Sequence, residues 1–266
     1  MLISRLVTVS YQEKLKNMLV VISPAKKLDM SQKQLSAVSE PLFTQQTQEL
    51  VRVMQSLDPE RLKKLMSISD NLAALNADRF ANFGTQERKP AMFAFAGDTY
   101  HGLDAATLDD EDLLWAQNHL RILSGLYGLL RPLDEIEPYR LEMGSRLATK
   151  RGKSLYDFWG SQLSDSLNDV ATKIGAEMLL NCASKEYFSA IDEGALNMPV
   201  LTPTFLEDSG GKPKIVSFYA KKARGAMARF VVQNKLKTRN ELEEFDAGGY
   251  QYQADLSDSN SLIFVR

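Results

Sequence analysis

Short runs of consecutive apolar residues recur along the chain and alternate with longer segments of helical periodicity. Continuous apolar runs are typical of strands that are buried on both faces of a sheet. Their alternation with helices predicts a mixed, partly parallel sheet covered by helices, and so an α/β (mixed α+β) fold. The predicted strands span residues 19–22, 92–95, 121–123, 178–181, 200–205, 215–218 and 262–265.

The strand pattern begins at Met18, and no internal repeat, low-complexity tract or linker divides the chain after that point. We therefore expect one compact domain over residues 18–266, preceded by an N-terminal extension of no assigned role over residues 1–17. Two adjacent glycines within residues 207–213 predict a hairpin or an exposed loop there.

A pattern of small and apolar residues over residues 59–80 predicts two helices joined by an exposed hairpin at residues 67–70. Asp58 and Pro59 are typical of a helix N-cap and a first helical position. The hairpin follows the order found in helix-hairpin-helix DNA-binding elements, in which backbone amides and a helix N-terminus face one phosphate. The matching positions are Leu62, Leu65, Ser67, Ile68, Ser69 and Ala73.

Serine stands at both positions where that pattern has glycine. Ser69 is suited to cap the second helix, but a serine adds a Cβ atom where a phosphate must come close. Two interpretations stay open, an ordinary capped hairpin and a DNA-binding hairpin. In the second interpretation the contacts with phosphate come from Lys63, Lys64, Ser67, Ser69 and Asn71.

Hydroxyl-bearing and charged residues follow the ends of several predicted strands. Ligands of open α/β sheets bind beyond the carboxyl ends of the strands, so these side chains are predicted to meet in one cleft. Candidate acid–base residues are Asp98, Glu186 and Glu142, the last of which we expect to pair with Arg140 and fix a loop. No spacing of a nucleophile with a base is found. The residues predicted to line the cleft are Lys26, Asp98, Ser124, Tyr127, Glu186, Lys221 and Arg224.

A helix that begins at Lys221 separates apolar residues on one face from cations on the other. Gly225 leaves room for another group to come close to this helix. The face is either a solvated surface or an anion site, and its unbalanced positive charge favours the anion site. The apolar residues are Ala223, Ala226, Met227, Phe230 and Val231. The cations are Lys221, Lys222, Arg224, Arg229 and Lys235.

Composition limits the chemistry of the chain. The 266 residues are 44% hydrophobic with a formal net charge of -2, so a local basic patch must provide any attraction to nucleic acid. Cys182 is the only cysteine, which excludes an intrachain disulfide and fits a reducing compartment. His101 and His119 lack the ligand spacing of zinc sites, so we predict no metal and no cofactor.

No apolar run is long enough to span a bilayer, and charged residues interrupt the N-terminal segment, which makes it a poor signal peptide. We therefore expect a cytoplasmic protein with no membrane partner.

Seven motifs that occur in order from about Met18 to the C-terminus resemble those of the YaaA (UPF0246) family, the bacterial peroxide stress resistance proteins. The resemblance implies a compact mixed α/β fold with a positively charged cleft, a helix-hairpin-helix element and DNA binding. It also implies protection from hydrogen peroxide by limiting free intracellular iron, and it implies no particular catalytic reaction. The motifs span residues 23–26, 97–103, 123–128, 131–134, 139–144, 156–160 and 218–225.

The leading hypothesis is a DNA-binding stress protein that contacts the DNA backbone with low sequence specificity and has little or no enzymatic activity. The sequence does not determine its oligomeric state, and a monomer is favoured over an oligomer. The alternative is an enzyme that acts on a nucleotide or a damaged base in the same cleft, with lysines holding the phosphate. An iron-handling protein is disfavoured because cysteine and paired histidines are scarce. Steep salt dependence is expected of the first function and saturable turnover of the second.

Overall fold

The structure, a computed structural model, describes residues 17–31, 37–208 and 210–266 of the chain. The predicted N-terminal extension therefore lies outside the described residues, except for Asn17. The strands are β1 (Asn17–Ile22), β2 (Lys27–Leu28), β3 (Lys89–Pro90), β4 (Phe95–Ala96), β5 (Leu120–Ser124), β6 (Gly128–Leu130), β7 (Glu135–Ile136), β8 (Ala176–Cys182), β9 (Val200–Leu206), β10 (Gln251–Tyr252) and β11 (Ser261–Val265).

Helices connect most of these strands, and four short 3-10 turns cover residues 105–107, 193–195, 247–249 and 254–256. None of the helices in the described ranges combines the length and the apolar character needed to cross a membrane. The helices are α1 (Thr44–Gln55), α2 (Pro59–Met66), α3 (Asp70–Ala81), α4 (Ala91–Ala94), α5 (Asp98–Leu103), α6 (Asp110–His119), α7 (Leu155–Trp159), α8 (Gln162–Ile174), α9 (Lys185–Phe188), α10 (Ser217–Asn234) and α11 (Arg239–Leu242).

One seven-stranded sheet organises the fold, in the order β10-β11-β9-β8-β1-β5-β6. Its five inner strands are parallel, and the outermost pairs, β10 with β11 and β5 with β6, are antiparallel. The mixed α/β class in a single domain is confirmed. The strands predicted at residues 19–22, 121–123, 178–181, 200–205 and 262–265 are confirmed as well.

The central strand β1 shows why continuous apolar runs predict this sheet. Met18 to Ile22 are fully buried. Consecutive residues of a strand point to opposite faces, so both faces of β1 are covered. Helices α6, α8 and α10 all pack against this strand. The main core therefore lies in the layers between the sheet and these helices.

The strand predicted at residues 92–95 is wrong. These residues form α4 and the first residue of the two-residue strand β4. The Ala91 N–H donates to the Asp134 carbonyl at 2.8 Å, and the Met92 N–H donates to the Pro132 carbonyl at 2.9 Å. A short continuous apolar run fits a buried turn of helix as well as a buried strand, and tertiary contacts decide between them.

The strand predicted at residues 215–218 is also wrong, because α10 begins at Ser217. Strand β9 pairs with β8 on one side and with β11 on the other, so neither edge of β9 can accept this segment. Ile215 and Phe218 are instead exposed to solvent. The predicted exposed loop at residues 207–213 precedes this segment and is closed by a bridge between Glu207 and Lys214.

Helices α2 and α3 occupy the positions predicted from the pattern over residues 59–80. Asp58 caps α2 by accepting a hydrogen bond from the Arg61 N–H at 2.8 Å, and Pro59 is the first helical residue. The three-residue connection at 67–69 is exposed except for Ile68, which is buried between the two helices and the core. Its identification as a DNA-binding helix-hairpin-helix element stays a prediction.

Helices α5 and α10 pack in direct backbone contact through two glycines. A Cβ atom at Gly225 would overlap the carbonyl oxygen of Thr99, and one at Gly102 would overlap the carbonyl oxygen of Lys222. The group that comes close to Gly225 is therefore the backbone of α5. Only glycine permits this approach, because any side chain would force the two helices apart.

Replacing Gly225 by alanine is expected to lower the free energy of unfolding by about 3 kcal/mol, because the new Cβ atom overlaps α5. Guanidinium unfolding followed by circular dichroism measures the change. The control is Gly194→Ala, where a Cβ atom meets only a side-chain oxygen of Asp192 at 3.3 Å. That variant is expected to stay within about 0.5 kcal/mol of the parent. Equal stability of the two variants would contradict the backbone contact.

Candidate functional site

The loops that follow β1 and β8 meet beyond the carboxyl ends of these strands. Ser23 Oγ accepts a hydrogen bond from the Ser184 N–H at 2.8 Å, and the two hydroxyl oxygens are 3.3 Å apart. The Tyr100 hydroxyl, on α5, donates to the Ser23 carbonyl at 3.2 Å. We call the surface beyond these ends, with residues 139–144 and Arg224, the strand-end cleft.

Glu142 organises the charged part of the strand-end cleft. Its Oε2 atom lies 2.6 Å from Lys26 Nζ and its Oε1 atom lies 2.9 Å from Arg140 Nη2. The predicted pairing of Arg140 with Glu142 is thereby confirmed. The Gly144 N–H donates to Glu186 Oε1 at 3.1 Å, so this segment also connects Lys26 with Glu186. Opposite charges alternate here, and the cleft is not uniformly basic.

Three buried tyrosines lie beneath the strand-end cleft. Burial raises the pKa of Tyr100, Tyr139 and Tyr187 above the ordinary value for a phenol. All three hydroxyls therefore stay protonated at neutral pH. Tyr139 Oη and Ser124 Oγ are 2.6 Å apart, and Ser124 Oγ also accepts from the Tyr127 N–H at 2.9 Å. Ser124 is fully buried, so it positions the tyrosines rather than touching a ligand.

Tyr127 lies away from the strand-end cleft. Its hydroxyl accepts a hydrogen bond from the Glu137 N–H at 3.0 Å, and its ring contacts Phe83. Together with Arg88 these residues line a separate cavity of about 260 Å³. The Tyr127 ring also contacts that of Tyr139, with centroids 5.2 Å apart, so Tyr127 adjoins the strand-end cleft only through this buried tyrosine.

Arg224 projects from α10 towards Cys182, the last residue of β8. Its guanidinium is half-buried, and burial lowers its pKa from the ordinary value without removing its charge. Within residues 17–31, 37–208 and 210–266 it forms no ion pair with a carboxylate and no hydrogen bond with a carbonyl. A half-buried cation without a counter-charge favours the binding of an anion.

Lys221 lies three residues before Arg224 and shares its side of α10. Lys222 and Arg229 line a cavity on another side, and Lys235 follows the helix, so the prediction of one face with all five cations is wrong. Arg229 donates to the carbonyls of Leu103 and Asp104 at 3.0 and 2.7 Å, which ties it to the end of α5. Lys235 pairs with Glu111 at 3.0 Å. The sheet, α5 and α6 all pack against α10, and gaps remain between these elements. Ala226 and Phe230, expected to be buried, line one of those gaps.

Lys221, Lys222 and Asp98 are the remaining residues predicted for the cleft or the cationic face of α10. Lys221 is exposed near the start of α10, whereas Lys222 lines a cavity on another face of that helix. Asp98 is the first residue of α5 and is partly buried. Asp98 directly follows Gly97. A Cβ atom added at Gly97 would lie 3.2 Å from the Cβ atom of Ala25, so Asp98 borders the loop after β1.

The two serines of the hairpin between α2 and α3 differ in backbone conformation, and Ser69 is extended with φ -70° and ψ 162°. Ser67 adopts a left-handed conformation with φ 51° and ψ 53°, which glycine favours. Ser69 Oγ accepts a hydrogen bond from the Leu72 N–H at 3.4 Å and so caps α3. Lys63 pairs with Asp70 across the turn, while Lys64 is exposed. Asn71, the second residue of α3, is exposed beside it.

Two parts of this site are absent from the sequence-based prediction. The first is the pair of buried tyrosines, Tyr139 and Tyr187. The repeated occurrence of tyrosine near the predicted strand ends is the sequence signal from which their place in the site could have been predicted. The pairing of Lys26 with Glu142 joins residues 116 positions apart, and no local pattern encodes it.

The histidines have structural or peripheral positions. The ring of His119 stacks on Trp115 with centroids 4.0 Å apart, and burial lowers the pKa of His119. His101 lines the cavity beside α10. Among the described residues, no three side chains of histidine, cysteine, aspartate or glutamate cluster in a way that would hold a metal ion.

Comparison with known proteins finds close relatives over nearly the whole chain. A family model described as peroxide stress protein YaaA matches residues 18–256. A UPF0246 protein of Ruegeria pomeroyi is 58% identical over 253 residues, which are 94% of this chain and 98% of the relative. UPF0246 proteins of Dinoroseobacter shibae and Phenylobacterium zucineum are 53% and 50% identical, each over 94% of this chain and 95% of the relative.

Cys182 is expected to resist alkylation and peroxide oxidation in the folded protein. Burial raises the pKa of its thiol to about 12, and the thiolate is the reactive form. Mass spectrometry after iodoacetamide treatment at about pH 8 should find little label on the native chain and full label on the unfolded chain. Equal labelling rates would show that the thiol is accessible and ionised in the folded chain, which would contradict this expectation.

Proposed function

The chain belongs to the YaaA family of peroxide stress proteins, and on that premise we propose that it binds the phosphate backbone of DNA with little sequence preference. The proposal places this binding in the bacterial cytoplasm during the response to hydrogen peroxide. It includes the finer role that the family resemblance implies, namely protection of DNA and protein by limiting free intracellular iron.

The observation that carries the proposal is the backbone of the hairpin between α2 and α3. Ser67 adopts the left-handed conformation that the motif reserves for glycine, and Ile68 is buried between two exposed serines. The first-turn amides of a helix have no intrahelical acceptor. Ser69 accepts from the Leu72 N–H, and the exposed residues Asp70 and Asn71 have no backbone N–H bonded to another described residue, so these amides remain for a ligand at the positive end of α3. This arrangement suits a phosphate.

Cations near the two surfaces add support. Lys64 and Lys221 are exposed and form no ion pair within the described part of the chain. Arg224 holds an uncompensated charge beside the ends of β1 and β8. The net charge of -2 repels DNA at long range, so these local cations must supply the attraction.

Alanine replacement of Lys64 or Lys221 is expected to weaken binding to all duplexes alike. Each loss of a phosphate contact should reduce the slope of log K against log salt by about 0.9, and the double variant by about twice that. Fluorescence anisotropy of a labelled duplex over a salt series measures both quantities. Lys173→Ala, an exposed lysine near the end of α8, is the control and should leave the slope unchanged. Parental slopes in all variants would refute backbone binding through these cations.

The two hairpin serines are expected to respond differently to glycine. Ser67→Gly relieves a left-handed conformation and should raise the free energy of unfolding by about 0.5–1 kcal/mol. Ser69→Gly loses the cap on α3 and should lower it by a few tenths of a kcal/mol. Both variants remove a Cβ atom near the amides, so DNA affinity should stay equal or rise. Chemical unfolding and anisotropy titrations measure the two effects, and a loss of affinity in both variants would mean that the hydroxyls themselves contact DNA.

A second candidate function is an enzyme acting on a nucleotide or a damaged base in the strand-end cleft. One observation favours it: Arg224, without a counter-charge, and Glu186, held by the Gly144 N–H, both border the ends of the parallel strands. In such an enzyme Glu186 or Asp98 would transfer a proton and Arg224 would hold the phosphate. Turnover that saturates with a small substrate and is lost in Glu186→Gln would favour this function over DNA backbone binding.

A further inference from the structure

A cavity of about 520 Å³ lies on the side of α10 opposite Arg224. It is bounded by α10, the end of α5 and the turn at residues 247–249. Its volume falls within the range of sites that hold small organic ligands. We call it the aromatic pocket and define it by Phe218, Tyr219, Lys222, Phe230, Tyr250 and Arg266.

Two neighbouring aromatic side chains are exposed at the rim of the aromatic pocket. Phe218 is 55% exposed and Tyr219 is 41% exposed, and their ring centroids are 5.4 Å apart in an edge-to-face arrangement. Across the described ranges, no other aromatic side chain is exposed to this degree. Large apolar groups left in water at the mouth of a cavity mark an interaction site, and aromatic faces stack readily on planar rings.

The wall behind Tyr219 is held rigidly in place. The Arg266 guanidinium carbon lies 4.5 Å from the centroid of the Tyr219 ring and 4.7 Å from that of the Tyr250 ring. Glu207 accepts hydrogen bonds from Arg266 Nε at 3.0 Å and from the Tyr250 hydroxyl. A ligand therefore meets rings that are already ordered, which reduces the entropy lost on binding.

The charge of the aromatic pocket is positive. Lys222 is exposed and forms no ion pair within the described part of the chain. Arg229, which also lines the cavity, donates only to the neutral carbonyls of Leu103 and Asp104. The positive charge of Arg266 is offset by Glu207. Asp104 is the one acid among the lining residues, so an excess of positive charge remains to attract an anion.

From the rings and the unpaired lysine together, we propose that the aromatic pocket binds a nucleotide unit, with the base against Phe218 and Tyr219 and the phosphate at Lys222. Two sources share this chemistry, a free nucleoside monophosphate and an unpaired nucleotide of a DNA strand. The pocket uses a different face of α10 from Arg224. It therefore does not depend on the backbone binding proposed above.

The first arm of the test uses free ligands and isothermal titration calorimetry. AMP and dTMP are expected to bind saturably, and ribose 5-phosphate and inorganic phosphate at least tenfold more weakly, because they lack the base. Phe218→Ala and Lys222→Ala should each weaken nucleotide binding about tenfold. Leu114→Ala and Lys173→Ala, an exposed leucine and an exposed lysine elsewhere on the surface, are the matched controls and should bind as the parent does.

The second arm compares a fully paired duplex with one that carries a single unpaired nucleotide. If the nucleotide comes from DNA, the second duplex binds more tightly, and Phe218→Ala removes that difference while leaving the affinity for the paired duplex unchanged. If the proposed binding of the DNA backbone is wrong, the parent protein does not bind the fully paired duplex. If the proposed nucleotide site is wrong, the parent binds both duplexes equally, so the two results are distinguishable.

The proposal is overturned by any of three results. These are the absence of nucleotide binding in both arms, binding that Phe218→Ala and Lys222→Ala leave unchanged, and binding of ribose 5-phosphate as tight as that of AMP. Both replaced side chains are exposed, so unaltered thermal unfolding of the variants is expected to confirm that a change in affinity reports on the pocket.

Discussion

The contact between the backbones of α5 and α10 sets the position of every cation on α10. With glycine at 102 and at 225, the two helices touch without intervening side chains, and α10 cannot rotate or slide without a clash. The rotation of α10 in turn directs Arg224 towards Cys182 and Lys222 towards the aromatic pocket. Two surfaces with different chemistry thus arise from one short stretch of sequence.

Ion pairing reduces the number of charges that remain for a ligand. Glu142 pairs with both Lys26 and Arg140 and offsets one of their two charges, Asp70 pairs with Lys63, and Glu111 pairs with Lys235. A count of lysines and arginines therefore overstates the electropositive surface. The cations that remain for a phosphate near the proposed surfaces are Lys64, Lys221, Lys222 and Arg224, which form no ion pair in the described part of the chain.

The sequence predicted the sheet better than the site. Five strands could be predicted because burial on both faces leaves a continuous apolar run, as in β1. The strand predictions at residues 92–95 and 215–218 are wrong for two different reasons. The apolar pattern at 92–95 also fits a buried helical turn, and no edge of β9 is free to pair with residues 215–218. At the site, Asp58, Ser69 and the Arg140–Glu142 pair are encoded locally and were predictable. The Lys26–Glu142 pair and the close approach of α5 to Gly225 depend on tertiary contacts, which no local pattern contains.

The short antiparallel strands at both ends of the sheet have a consequence for solubility. β6 has three residues and β10 has two, so the longer parallel strands are never at an edge. An exposed edge of a long strand offers unpaired amides and carbonyls to which another chain can add. Because β6 and β10 are so short, they offer few unpaired amides and carbonyls to another chain. The short edge strands therefore reduce the tendency of the folded protein to add a strand from another chain at either end of the sheet.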